Sequence, residues 1–262
     1  MLRLERLSVG YGKPRGIVLA DLEVTVAPGR FVCVLGRNGA GKSTLMRTLS
    51  GLQSAIAGAA TLEGEDIAAL RPQTRAQRVA VVLTERASSP GLTVGDVVSM
   101  GRQPFTGWQG RLTADDLAQV AAALNLAGAT AFANRLFDDL SDGERQRVMI
   151  ARAIAQAPRL MVLDEITAFL DLPGRVETMA LLRAHAHRTG SIVLLSSHDL
   201  DLSLQLADEV WLLDGTGNLA TGTADALIVA GHVGRAFDTG AVRFSPTLGR
   251  FELVRGGDDP PR

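Results

Sequence analysis

Phe31-Val-Cys-Val-Leu-Gly36-Arg-Asn-Gly-Ala-Gly41-Lys42-Ser43-Thr44 is the stretch that decides how the chain is read. Phe31–Leu35 is short and wholly apolar, as expected of a strand buried on both faces. Gly36 to Ser43 then fits the spacing G-x-x-x-x-G-K-S/T. Glycines at Gly36, Gly39 and Gly41 let backbone N–H groups, including those of Asn38 and Ala40, turn inward toward phosphate oxygens. A helix beginning at this point adds its positive end. Lys42 would reach the β- and γ-phosphates, Ser43 would offer a hydroxyl to Mg²⁺, and Thr44 is placed for a further phosphate oxygen. Leu45, Met46, Leu49 and Leu52 follow at helical spacing. The stretch therefore predicts a strand, a phosphate loop and a helix that bind a nucleoside triphosphate, ATP with Mg²⁺.

Outward from this loop, Leu2, Leu4, Leu7 and Val9 alternate with polar residues and predict a strand over 2–9. Leu22, Val24 and Val26 predict another, closed by the turn Pro28-Gly29. Val79–Leu83, Leu160–Leu163, Ile192–Leu195 and Val210–Leu213 are further short apolar runs, with helical segments at about 174–188 and 200–206. Strands alternating with helices predict an α/β fold with a largely parallel, doubly covered sheet. From about 87 to 157 no convincing strand occurs. Thr93-x-x-Asp96 and Thr113-x-x-Asp116 read there as helix-start boxes, and Leu117–Ala127 as a helix. This region is expected to be a helical insert in a single domain spanning 1–262. A less regular tail runs from about 236, and residues 256–262 are expected to be disordered.

Bulk properties narrow the function. Of 262 residues, 46% are hydrophobic and 21% charged, and the formal net charge is −1, so a basic nucleic-acid footprint is not supported. The single cysteine, Cys33, lies in an apolar run and reads as a small core residue. No disulfide can form within the chain, which suits a reducing compartment. His185 and His187 stand two apart and are expected to be solvated surface groups. No apolar run approaches the roughly 18 residues that cross a bilayer, so any membrane connection is expected to come through a partner.

Leu160-Met-Val-Leu-Asp164-Glu165 is an apolar strand ending in two acids. Beside a phosphate loop, Asp164 is placed to hold Mg²⁺ and Glu165 to polarise the attacking water as general base. Ser141-Asp-Gly-Glu144 has the spacing of a capping box ahead of Val148, Ile150, Ala151 and Ile154. The same serine hydroxyl, glycine N–H and helix N-terminus could equally form a second anion site.

Five landmarks stand in order: Gly36–Thr44, Leu140–Glu144, Leu160–Glu165, Phe169-Leu-Asp171 and Ser197-His198. Over roughly residues 2–235 the chain resembles the ATP-binding subunit of an ABC transporter, a P-loop NTPase with a mostly parallel sheet, an antiparallel β part and a helical subdomain. The resemblance implies a head-to-tail pair, in which Ser141, Gly143 and Glu144 of one copy close over ATP held by Lys42 of the other. It implies that His198 contacts the γ-phosphate, that Asp171 lies on the loop crossing the pair, and that Tyr11 stacks on adenine. It also implies integral-membrane permease subunits as partners, indirectly a substrate-binding protein, and a peripheral place on the cytoplasmic face of the inner (plasma) membrane.

The chain departs from the family pattern at several positions. Glu85 stands where glutamine is usual and could ligate Mg²⁺ more strongly. Asp142 replaces glycine, Glu144 replaces glutamine and Ile166 replaces proline. None removes Lys42, Asp164, Glu165 or His198, so hydrolysis is expected to be retained, with Glu85 altering its rate or coupling. Gly91–Pro104, with Trp108 and Arg111–Thr113 following, is similar to importers of iron–siderophore, haem and cobalamin type. The leading expectation is an ATPase powering import of a metal chelate. A non-transport ABC protein acting on nucleic acid is disfavoured, because the chain has one such domain, no heptad array and near-neutral charge.

Overall fold

The structure is a computed structural model that describes residues 1–12, 16–83 and 89–254. The first two strands, β1 (Leu2–Gly10) and β2 (Ile17–Val26), form an antiparallel pair. They are followed by β3 (Phe31–Gly36) and α1 (Lys42–Leu49), the expected strand–loop–helix unit. Leu52 falls beyond the end of α1 and is exposed, so the helix is shorter than its apolar spacing suggested. Next come β4 (Ala57–Leu62), β5 (Glu65–Asp66), α2 (Pro72–Arg78) and β6 (Val79–Val82).

The block 89–157 contains no regular strand among the described residues. Its α-helices are α3 (Val94–Ser99), α4 (Ala114–Leu126) and α5 (Asp142–Ala155). Thr93 and Thr113 both close complete capping boxes, with Asp96 and Asp116 as the returning acids. A hydrogen bond from the Thr113 backbone N–H, then the Thr113 hydroxyl and Arg102, hold the Asp116 carboxyl down at about 2. Then follow β7 (Leu160–Asp164), α6 (Leu172–Thr189), β8 (Ile192–Ser196), α7 (Leu200–Leu206) and β9 (Glu209–Leu213). The remainder is β10 (Leu219–Gly222), α8 (Ala224–Val229), α9 (His232–Phe237) and the hairpin β11 (Val242–Ser245) with β12 (Arg250–Leu253). The tail from 236 is thus folded as far as the hairpin, whereas 256–262 lie outside the described residues.

Two main sheets result. One is six-stranded, in the order β10-β9-β3-β8-β7-β6, parallel except for β10; the other is antiparallel, in the order β2-β1-β4-β5. The apolar central strands follow from two-sided burial. Alternate residues Phe31 and Cys33, Met161 and Leu163, Val193 and Leu195 face α5 and α6. Val32 and Val34, Leu160 and Val162, Ile192 and Leu194 face the other way, onto Leu45, Met46 and Leu49 of α1 and onto the antiparallel sheet. Burying α1 between two sheets fixes the direction in which its N-terminus, and so the phosphate loop, points. Burial also pushes the Cys33 thiol up to about 12, which keeps it an uncharged core residue.

The structure corrects the reading of His185. Along α6 the inward face carries Met179, Leu182, His185 and Ala186, so only His187 of the two histidines is exposed. His187 meets Asp208 at 2.7 Å, whereas His185 Nδ1 has no hydrogen-bond partner. Desolvation first, then the Arg188 charge, push the His185 pKa from 6.5 to about 4. The unfolded chain therefore holds an extra proton between these values. Stability that is fully present above 6.5 is lost as pH falls toward 4, by on the order of 3 kcal/mol. Urea midpoints for wild type and His185→Gln at pH 7 and 4.5 check this. The wild type should lose more stability on acidification, and equal losses would show that His185 is not the source.

Candidate functional site

The phosphate loop lies at the C-terminal end of β3, where ligands of open α/β sheets bind. Gly41, the residue before α1, has φ +104°, and a Cβ there would come within 2.6 Å of Val18. Gly39 has φ +82°, and a Cβ there would meet nothing within 4 Å, so that stretch of backbone borders open space. The loop curls back onto the side chain of Lys42, whose ammonium donates to the Gly36 carbonyl at 2.9 Å and lies 3.4 Å from that of Arg37. Lys42 is 5% exposed. Its burial lowers its pKa, and the negative charges of Glu165 and Asp164 act against that shift. A desolvated cation inside a glycine loop at a helix N-terminus is the chemistry of a polyphosphate site.

Thr44 lies on the buried side of α1 and donates its hydroxyl to the Tyr11 hydroxyl at 3.1 Å, while Ser43 is exposed beside it. The first antiparallel strand thus delivers Tyr11 to the loop, and the residue is 38% exposed.

The two acids come from β7. Asp164 is buried and pairs in register with Ser196 of β8, whose hydroxyl donates to Asp164 Oδ1. Glu165, the next residue, has φ +52°, a left-handed conformation unusual for a side-chain-bearing residue. Its N–H is held by Ser196 Oγ at 2.9 Å. The chain therefore turns sharply and sends the Glu165 carboxylate to His198, with Oε1 2.6 Å from Nε2. Strained backbone of this kind gathers at functional sites. Glu165 and His198 share a cavity of about 500 Å³ with Arg175, Asp199 and Phe251. Arg175, Asp199 and Phe251 were absent from the sequence-derived site. The Arg175–Asp199 contact spans 24 positions, which no local pattern announces.

Ser141, Gly143 and Glu144 sit apart, at the start of α5. Ser141 donates its hydroxyl to Glu144 Oε2 at 2.9 Å, and the Glu144 backbone N–H donates to Ser141 Oγ at 3.3 Å. A hydrogen bond from the Ser141 backbone N–H, then its hydroxyl, hold the Glu144 carboxyl below its ordinary pKa, and Arg135 adds an ion pair at 2.8 Å. These polar groups bond to one another and to Arg135 rather than to the phosphate loop. Asp171 caps α6, accepting from the Gly174 N–H at 3.0 Å. Glu85 lies outside the described residues.

Residues 19–168 match the ABC transporter family model. An uncharacterized ABC transporter ATP-binding protein of Methanocaldococcus jannaschii is 37% identical over 253 residues, 97% of this chain and 87% of that protein. The hemin import ATP-binding protein of Pseudomonas fluorescens is 39% identical over 233 residues, 87% of this chain and 89% of that protein. Among solved structures, one assigned to a metal-chelate type ABC transporter in an inward-facing conformation superposes with a TM-score of 0.77 at 28% identity, over 90% of this chain and 88% of that one. The chain belongs to the ABC transporter family, as one of its ATP-hydrolysing subunits.

Proposed function

We propose that this chain hydrolyses ATP to power import of a metal chelate through a membrane permease, as one half of a head-to-tail pair. Gly36, Asn38, Gly39, Ala40 and Gly41 present backbone N–H groups to the phosphates, Lys42 neutralises the β- and γ-phosphate charge, and Tyr11 offers a ring face to adenine. Ser43 and Asp164 offer a hydroxyl and a carboxylate, the hard oxygen donors that Mg²⁺ takes. Among the described residues no group of three or more His, Cys, Asp and Glu could hold a metal alone. Phosphate oxygens and water would complete the shell, the usual magnesium arrangement at a nucleotide. Held by Ser43 and Asp164, the ion would neutralise negative charge on the phosphates.

Glu165 takes a proton from the attacking water, and His198, held against it, contacts the γ-phosphate. Glu165 lies 2.6 Å from His198 while its charge acts on Lys42, and this is the observation that carries the catalytic reading. In the pair, Ser141 and Gly143 of a second copy, at the positive end of α5, would close over the γ-phosphate and add donors to it. Ser141 bonds Glu144 in this chain, so its hydroxyl must turn from Glu144 to donate to a phosphate.

The import reading rests on the hemin import relative and on the metal-chelate type transporter structure. No helix among the described residues is long and apolar enough to cross a membrane, so the chain would reach the bilayer through the permease. Isolation of the tagged chain from native membranes tests this. An integral membrane protein should co-purify, and phosphate release by the complex should rise with hemin, a ferric siderophore or cobalamin. Recovery without any membrane protein would count against transport.

A further inference from the structure

We propose that Arg175 is a positioning residue for hydrolysis. By clamping the loop that ends in Asp171 to the loop that carries His198, it sets the histidine in register with Glu165. The inference rests on the catalytic reading of His198 given above. Arg175 lies in the first turn of α6, where its backbone N–H bonds the Asp171 carbonyl. A cation there faces the positive end of the helix dipole, an unfavourable place for it on local grounds. Its contacts explain it. Arg175 Nε donates to the Leu170 carbonyl at 2.9 Å, and Nη1 lies 3.4 Å from Asp199 Oδ2.

The planar guanidinium fork thus holds two segments in fixed relation, which a single-point ammonium could not do as well. Asp199 is itself pinned. Its other oxygen accepts from the Leu202 N–H at 3.1 Å as the cap of α7, and its own N–H donates to Ser197 Oγ at 3.0 Å. His198 therefore sits between two anchored residues, and Arg175, Asp199, His198 and Glu165 all line one cavity.

The other end of the clamp leads toward the start of α5. A Cβ on Gly143 would lie 3.5 Å from Leu170 Cδ2. Arg175 thus joins Leu170, which lies near Gly143, to Asp199, the residue next to His198. In the proposed pair, Gly143 and Asp171 meet the second copy, so Arg175 would transmit its arrival to the histidine. The coupling is mechanical, and Arg175 need not touch nucleotide.

The test is steady-state ATP hydrolysis by Arg175→Ala, Asp199→Asn and the double variant, with His198→Ala as benchmark. Asp199→Asn keeps an acceptor for the α7 cap but loses the charge. Arg175→Ala and Asp199→Asn should each lower kcat about tenfold, with KM for ATP within about twofold of wild type. The double variant should be no slower than the slower single one, because both remove one contact. Wild-type kcat in Arg175→Ala would overturn the proposal, and so would full additivity of the two losses. Should Arg175→Ala fail to fold by circular dichroism, Asp199→Asn decides alone, with unchanged kcat overturning the proposal. If His198→Ala keeps wild-type turnover, it is the catalytic reading of His198 that fails, and this inference falls with it.

Discussion

Glu165→Gln is expected to lower ATP turnover by about 100-fold or more, the usual contribution of a positioned general base, while leaving ATP affinity close to wild type. The residue follows β7, its left-handed backbone is fixed by Ser196, and its carboxylate is 2.6 Å from His198 Nε2. Glutamine preserves size and can still bond the histidine, but cannot accept the proton that water must lose. Phosphate release at saturating ATP measures this. Equal turnover in the two proteins would remove Glu165 from the chemistry and favour a binding module that does not hydrolyse.

Lys42→Ala is expected to fail earlier, at binding. Its ammonium is buried against the Gly36 and Arg37 carbonyls, within the field of Asp164 and Glu165. Phosphate is the anion this loop is shaped to receive. Truncating one partner of a buried charge contact commonly costs 2–5 kcal/mol, so ATP should bind about 100-fold more weakly, with turnover falling at least as far. Calorimetric titration with ATP in the presence of Mg²⁺ checks it. Undiminished affinity would mean that the phosphates are held elsewhere.

The loop Gly36–Thr44 and the strand end at Asp164 and Glu165 were legible because their residues carry local signals. Strands β3, β7 and β8 are apolar up to their last residue because both faces are buried, and the phosphate loop and the Asp164-Glu165 pair sit where such strands end. Three threonine and serine caps announced α3, α4 and α5. Other elements left weaker traces. Strand β4 reads Ala-Gly-Ala-Ala-Thr-Leu, poor in β-branched residues, and becomes a strand through pairing with β1. Helix α2 buries no residue and shows no apolar face to find.

The C-terminal hairpin is held by edge-on packing of Phe251 against Phe237 and Phe244, a contact made only on folding. For the histidines, spacing of two did place the side chains on different faces, but burial of one face by the sheet turned His185 inward. Arg175 illustrates the limit most clearly. Its sequence neighbours argue against a cation at that place, and only the fold brings Asp199 to it.

In the proposed pair the phosphate loop is half of a site, completed by Ser141 and Gly143 of a second copy. Light scattering of Glu165→Gln after size exclusion, with and without MgATP, tests this, because slow turnover holds the ATP-bound state. The chain should elute as a monomer without nucleotide and as a dimer with it, and Ser141→Arg in the same background should abolish the shift. A protein that binds ATP yet stays monomeric at every concentration tested would contradict the shared site.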